Sequence, residues 1–464
     1  MMRRFRPLLP LLSSLFLLAC STTSEVDEKL QNIALPQSWH DSKHSLDVEH
    51  NWLPQLNSPQ VKQLVNKALA ANHQFAMQAY SLEVLEQQII VSGSQLWPEL
   101  DLSFGSGRSK DNQSNRYSNS NSINLNLRYE VDLWGKLSDA DRLSNYNYLA
   151  QKSLFEQHKQ QLVVNVVTTW FSVIEADKLL ALYRSRVENS QQNLAIIEAG
   201  YNSGLTPALD VYLTRNELNS ELTRVSEQET VKIKLIRQLE RLIGEYPKGD
   251  LLVNAELPLL INDIPVGLPS ELISRKPALK SSWYQLLSQD ASLAYAHKQR
   301  FPSLVLSGSL GDSNDEIGDL LSSSSLAWSL LSSVSAPIFN GGRLKANEEK
   351  ERLTLKQNEQ LYLDTLYSAF SDVENGISTE KSLKKRYSTM LAAQENAKVA
   401  SSLSFEQYKS GLISYTTVLD AQNRSFEAQA TLIKIKSQLI ANRINLHFSL
   451  GGDFTTPSLE NKVK

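Results

Sequence analysis

The stretch Tyr408-Lys-Ser-Gly-Leu-Ile-Ser-Tyr-Thr-Thr-Val-Leu-Asp-Ala-Gln-Asn423 lies between two long helical patterns and reads as the turn where one helix doubles back into the next. Gly411 can take the positive φ that ends a helix, and Ser414 or Thr416 can cap the helix that follows. The same design stands earlier in the chain as Tyr201-Asn-Ser-Gly-Leu-Thr-Pro-Ala-Leu-Asp-Val-Tyr-Leu-Thr-Arg-Asn216. Tyr, Ser, Gly, Leu, Val and Asn align without a gap, Gly204 falling on Gly411. An ungapped echo at that separation makes the chain two structural repeats.

Helical periodicity runs outward from both turns, over roughly 136–200, 207–244, 343–409 and 414–449. Val166, Val173, Leu180, Val187 and Leu194 recur every seven residues, with Ala176, Tyr183 and Ile197 on the adjoining line. Leu363, Leu366, Phe370, Val373 and Ile377 repeat the pattern in one later helix, and Leu419, Phe426, Ile433 and Ile440 in another. Such heptads predict coiled-coil packing. A helix of about 65 residues is roughly 100 Å long, far beyond the needs of a globular domain. A further helical pattern covers Pro59 to Leu96, and the Pro- and Gly-rich stretch Gly244 to Pro269 links the repeats.

Between helices the period changes to two. Leu100, Leu102 and Phe104 alternate with Asp101, Ser103 and Gly105. A Ser/Asn-rich loop is expected over Ser106–Asn121, after which Ile123, Leu125, Leu127, Tyr129 and Val131 alternate with Asn124, Asn126, Arg128, Glu130 and Asp132. This is a hairpin with one apolar and one polar face. The second repeat matches it, with Phe301-Pro302 where the first has Trp97-Pro98, then Leu304 and Leu306, and a return strand carrying Leu326, Trp328 and Leu330.

The N-terminus carries Arg3, Arg4 and Arg6 ahead of an apolar run from Leu8 to Leu18, the pattern of an export signal. The run closes on Leu17-Leu18-Ala19-Cys20, which resembles a bacterial lipoprotein cleavage box and implies a lipid on Cys20. Ser21 after the cysteine favours sorting to the outer membrane. Removal of residues 1–19 would shift the formal net charge from −3 to −6. Cys20 is the only cysteine, so no internal disulfide can form. No basic run with interleaved aromatics points to nucleic acid. Beyond the signal there is no apolar run of about 18 residues, so a membrane role needs lipid or strands.

Two hairpins give four strands per chain, each near the 9–11 residues that cross a tilted bilayer. Four strands cannot close a barrel, and open edges are not tolerated in lipid. If they span, several chains must share one barrel, eight strands from two copies or twelve from three. The alternation alone also fits a soluble sandwich with one solvated face.

Tyr129-Glu-Val-Asp-Leu-Trp-Gly-Lys136 resembles the signature of the bacterial outer membrane factor (TolC-like) efflux family. Pro337-Ile-Phe-Asn-Gly-Gly-Arg-Leu344 is similar to its partner signature in the second repeat, and Leu268-Pro-Ser-Glu-Leu-Ile-Ser-Arg-Lys-Pro277 to a third family segment. The resemblance covers about residues 35–452 and points to the lipoprotein drug-efflux (NodT-type) branch. It implies a mixed α and β membrane protein, with a trimeric twelve-stranded outer-membrane β-barrel. Below it would continue a twelve-helix periplasmic α-barrel and a mixed equatorial domain. The implied homotrimer is a passive duct that docks on a periplasmic adaptor and an inner-membrane pump. It has no enzymatic activity and no cofactor beyond the lipid on Cys20. The competing reading is a non-spanning periplasmic coiled-coil lipoprotein, acting as scaffold or adaptor.

The expected organisation is a signal peptide 1–19, a lipid-anchored tether 20–57, repeats 58–243 and 269–450 around a linker 244–268, and a tail 451–464. Hairpins fall about 99–132 and 302–337, with helical tips near 204 and 411. The resemblance places a periplasmic aperture carboxylate at Asp420, with Thr416 and Asn423 beside it. The family often has Arg three residues after this carboxylate, so Asn423 argues against a gating salt bridge there. Asp210 aligns with Thr417 rather than Asp420, so the two tips differ and gating is expected mainly at the second. Gly204, Leu205 and Thr206, with Gly411, Leu412 and Ile413, are the candidate adaptor-contact tips. Trp134, Gly135, Gly341 and Gly342 mark strand-to-helix corners, which need small or permissive residues. His40, His44 and His50 with Asp41, Asp47 and Glu49 form the one cluster resembling metal ligands, but it lacks helical periodicity, and no metal site is expected. The loops Ser109–Asn121 and Asp312–Ser325 are expected to be extracellular and polar. The transported substrate is not readable from the residues.

Overall fold

The computed structural model describes residues 35–40, 52–56, 58–113, 115–260, 262–321 and 326–452. Cys20, His44, His50 and the rest of that histidine cluster apart from His40 lie outside them.

The two repeats are matched in length. In the first, α1 (Pro59–Ala71) and α2 (His73–Ser94) lead to strands β1 (Glu99–Asp111) and β2 (Arg116–Val131), then α3 (Lys136–Asn202) and α4 (Ala208–Leu242). In the second, α5 (Pro269–Arg275) and α6 (Pro277–Lys298) lead to β3 (Ser303–Asn314) and β4 (Ala327–Ser335), then α7 (Arg343–Lys409) and α8 (Tyr415–Ser449). The long helices have 67 and 35 residues in both repeats. At 1.5 Å per residue α3 and α7 are each about 100 Å long. No helix among the described residues is apolar enough over its length to cross a membrane.

The pattern expected to form one helix over Pro59–Leu96 is broken at Asn72. Its backbone N–H closes α1 on Ala68 O, its Oδ1 accepts from Phe75 N (2.9 Å), and its Nδ2 donates to Leu242 O (2.9 Å). One side chain caps two helix ends and ties them to α4, so a continuous helix would cost both bonds.

The chain divides into two compact units. The first contains Leu82–Gln151 and Ser281–Leu363. It holds an antiparallel four-stranded sheet of order β1-β2-β3-β4. The register puts Leu100, Leu127, Gly308 and Leu330 in one row, and Leu102, Leu125, Leu310 and Trp328 in the next. The other face carries Asp101, Asn126, Ser309 and Ser329, and Glu99, Arg128, Ser307 and Leu331. On β2 the apolar rows run from Ile123 to Val131, about 27 Å along the strand, a length that suits a tilted bilayer crossing. Leu100, Leu102, Phe104, Trp328, Leu330 and Val334 are all exposed. A one-residue slip would exchange the two faces, so the apolar band fixes the register.

The Ser/Asn-rich stretch expected as a loop is strand for most of its length, because β1 reaches Asp111 and β2 starts at Arg116. Lys110 pairs with Tyr117 and Arg108 with Asn119. Beyond the apolar band both faces are polar, so pairing continues without an apolar alternation to announce it.

The second unit contains Leu35–Ser81, Lys152–Lys280 and 364–452 among the described residues. Its core joins Trp52, Leu56, Val61, Val65 and Ala68 to Val163–Ile174, Leu239, Ile243, Ile440 and Ile444. The heptad line is buried at Val166, Val173 and Leu180 and half-buried at Val187 and Leu194. The segment 20–57, expected as an extended polar tether, is pinned among its described residues by buried Trp39, Trp52 and Leu56, with Pro36, Gln37, Ser38, His40 and Pro54 exposed between them. Trp39 donates from Nε1 to Gly267 O (3.0 Å) and Val266 O (3.3 Å) and meets Phe370 edge-on at 6.0 Å. Trp52 stacks on His447 at 5.4 Å. Two large aromatics, both buried, in a polar segment are anchors.

Candidate functional site

Both helix-to-helix tips end in the same way. Gly204 and Gly411 have φ +73° and +71°. Leu205 N–H reaches back to Gly200 O (2.8 Å) and Leu412 N–H to Gln407 O (3.0 Å), satisfying carbonyls the helix ends leave open. Leu205 and Leu412 project into solvent, the most exposed apolar residues of either turn. Thr206 and Ile413, grouped with them from sequence, turn inward instead. Thr206 Oγ1 donates to Ile197 O (3.1 Å), and Ile413 packs on the cluster of Ile197, Val211, Tyr415 and Val418. Ser414 sits at the N-cap of α8, but its hydroxyl bonds the Thr416 (2.6 Å) and Thr417 (3.2 Å) hydroxyls rather than a backbone amide.

The carboxylates of the two tips differ more than the alignment predicts. Asp420 is exposed and forms an ion pair with Arg424, Oδ2 to Nε 2.9 Å. No salt bridge can form at Asn423, three residues on; the partner is Arg424, one residue further, where the i,i+4 spacing of a helix places it on the surface. Asn423 itself accepts from Arg186 Nη2, and Thr416 remains exposed. Asp210, by contrast, is buried and accepts from the Tyr408 hydroxyl at 3.2 Å. Burial and the charge of Asp210 push the Tyr408 phenol up to about 12, so it stays protonated and donating. The buried carboxylate thus belongs to the first tip, where it joins α4 to α7.

Behind the tips Arg186 is buried against Glu221 (2.8 Å) and Glu217 (2.9 Å), and its guanidinium lies 5.0 Å from the Phe426 ring. Burial raises the Glu221 carboxyl above its ordinary value, against the opposing charges of Arg186 and Arg224. This network joins α3, α4 and α8. No sequence motif announces it; a charged side chain beside the Val187 heptad position was the available signal.

The corners lie at the other ends of the long helices. Gly135, Gly341 and Gly342 all have positive φ. Trp134 donates from Nε1 to Pro302 O (2.7 Å) and packs on Phe301, binding the first corner to the second repeat. Asp132 caps α3 by accepting from the Leu137 and Ser138 amides (both 2.9 Å) and the Ser138 hydroxyl (2.6 Å). Partial burial opposes its charge, but these bonds hold its pKa below the ordinary value. Asp132, Trp134, Lys136, Lys298, Phe301 and Arg343 line a cavity of about 390 Å³. Among the described residues no group of three or more His, Cys, Asp or Glu could hold a metal ion. His40 instead donates its backbone N–H to Glu374 Oε1 (2.9 Å).

The family model described as "Outer membrane efflux protein" matches residues 64–245 and 268–452. The chain is 27% identical over 454 residues to the probable outer membrane lipoprotein SilC of Salmonella typhimurium, covering 95% of this chain and 97% of the relative. It is 28% identical over 408 residues to the toluene efflux pump outer membrane protein TtgI of Pseudomonas putida, covering 86% of each. The crystal structure of the Campylobacter jejuni CmeC outer membrane channel superimposes with a TM-score of 0.82 at 22% identity, over 90% of this chain and 91% of that one. The exposed apolar band, the two matched helical hairpins and the family match agree: the chain belongs to the outer membrane efflux protein family and is an exit channel of the outer membrane.

Proposed function

We propose that three copies share one twelve-stranded barrel and form a passive duct, anchored by lipid on Cys20, that a periplasmic adaptor engages at the helical tips. The observation that carries this reading is the sheet. Four strands expose a registered apolar band, yet among the described residues β1 and β4 have no partner strand on their outer edges. Lipid accommodates the band, and only neighbouring copies can satisfy the edges. Three copies give twelve strands, and the Asp101, Asn126, Arg128 and Ser309 face would line a wet interior. A non-spanning scaffold would leave the band in water.

Leu205 and Leu412 are the contact residues for the adaptor, and Asp420 contributes a carboxylate to the ring at the aperture. The duct performs no chemistry and takes what its pump delivers. Relatives are named for toluene efflux and for cation efflux, so neither cargo is singled out. A crosslinking experiment tests the docking. Substituting Cys20 would remove the lipid, so photoreactive residues placed at Leu205 and Leu412 are the cleaner probe. In cells carrying the matched adaptor and pump, crosslinks to the adaptor are expected from both positions. Their absence from both, in a strain whose efflux is intact, refutes the docking surface.

A further inference from the structure

Above the apolar band, the outward face of the first hairpin changes character within two rows. Leu100, Leu102 and Phe104 are followed on the same face of β1 by Ser106, Arg108 and Lys110. Across the ladder Lys110 pairs with Tyr117, which stands on the same face as Ile123, Leu125 and Leu127 of β2. Arg108 Cζ lies 4.8 Å and Lys110 Nζ 5.5 Å from the centroid of the Tyr117 ring. Among the described residues of β1 and β2 no carboxylate stands on this face beyond the band; Asp111 alternates onto the opposite face, opposite Arg116. Asp312, on the outward face two strands away, is buried and accepts from the Leu321 amide (2.6 Å). Two cations and an aromatic ring therefore stand exposed directly beyond the lipid band, on a protein whose formal net charge is negative.

Position and chemistry select the partner. Arg108 is four residues past Phe104, about 13 Å along the strand and less along the membrane normal for a tilted strand. That is headgroup depth, on the side of the sheet opposite the ends that lead into α3 and α7. The outer leaflet of a bacterial outer membrane presents a phosphorylated glycolipid, lipopolysaccharide, whose phosphates sit at that level. Arg forms two parallel bonds to phosphate, Lys supplies a point charge, and Tyr suits the boundary between apolar and wet layers. We propose that Arg108, Lys110 and Tyr117 form a binding patch for the phosphate groups of outer-leaflet lipopolysaccharide. The patch would fix the depth and tilt of the barrel, as basic clusters do beside anionic lipid. The inference rests on the membrane-spanning reading of the hairpins.

The test uses the full-length protein purified in detergent. Retained lipopolysaccharide is counted by native mass spectrometry, and affinity is measured for vesicles containing either phosphorylated or dephosphorylated lipid A. Wild-type protein should retain the glycolipid and prefer the phosphorylated vesicles. The double variant Arg108→Ser/Lys110→Ser should bind them about tenfold more weakly or worse. The swap Arg108→Lys/Lys110→Arg, which keeps both charges, should bind nearly as wild type. Equal binding by the Ser variant, or equal binding of both vesicle types by wild type, overturns the proposal. So does displacement by millimolar inorganic phosphate, which would make the patch a site for a free ion. Planar-bilayer conductance of the same samples separates the two claims: intact conductance with no glycolipid preference removes the patch and leaves the channel standing.

Discussion

The Tyr408 hydroxyl donates to Asp210 Oδ2 across 3.2 Å, tying the end of α7 to the first turn of α4 although 198 residues separate them. The bond is charge-assisted and partly buried, a class that contributes about 1.5–3 kcal/mol. It joins the two helical hairpins at the point where an inner mouth would have to widen. Tyr408→Phe and Asp210→Asn should each destabilise the closed tip and raise the open population about tenfold or more. Higher single-channel conductance and greater uptake of a large antibiotic would be the readouts, with the fold unchanged by circular dichroism. A wild-type conductance in both variants would remove this bond from the gate.

Asp420 predicts a different effect. Its pairing with Arg424 lies on the surface within one helix, so it adds little to stability. Asp420→Ala should leave the melting temperature almost unchanged while reducing cation preference, because a ring of carboxylates favours cations. Reversal potentials in a salt gradient report this directly.

Acid should weaken the second unit through His447. Burial, helped by the Arg443 charge, pushes its pKa down to about 4 from an ordinary 6.5. The folded chain therefore favours the neutral ring. Its contribution is complete above about pH 6.5 and is lost as pH falls towards 4, reaching about 3 kcal/mol below both values. The melting temperature should fall across that window. His447→Phe, which keeps a ring against Trp52, should flatten the fall.

The band and its register are tested by one pair of neighbours. Leu125→Arg puts a charge at mid-band and should cost about 2–4 kcal/mol, blocking assembly in the membrane. Asn124→Arg, one residue away on the polar face, should assemble normally. Trimer yield from outer membranes distinguishes the two outcomes.

What was legible in the residues follows from where the physics is local. Gly204 and Gly411 end helices through their own backbone freedom, and the observed ends at Asn202 and Lys409 lie within two residues of the expected ones. The apolar alternation of Leu100–Phe104 and Ile123–Val131 placed the band because lipid imposes it. The hairpin above the band escaped notice since its strands are wet on both faces and carry no period-two signal. Trp39 and Trp52 in a polar segment were readable as anchors, but what they anchor to, Val266 and His447, depends on contacts more than 200 residues away. Arg424 was open to inspection at i+4 from Asp420, whereas the buried trio of Arg186, Glu217 and Glu221 takes its meaning only from packing.

The central claim is that this chain conducts across the outer membrane as a shared barrel, and current through a planar bilayer tests it most directly. Detergent-extracted protein of trimeric mass should insert and give discrete, cation-preferring steps that grow in Tyr408→Phe. A monomer that leaves the membrane intact once its lipidated N-terminus is cleaved, and that yields no steps, would contradict the account.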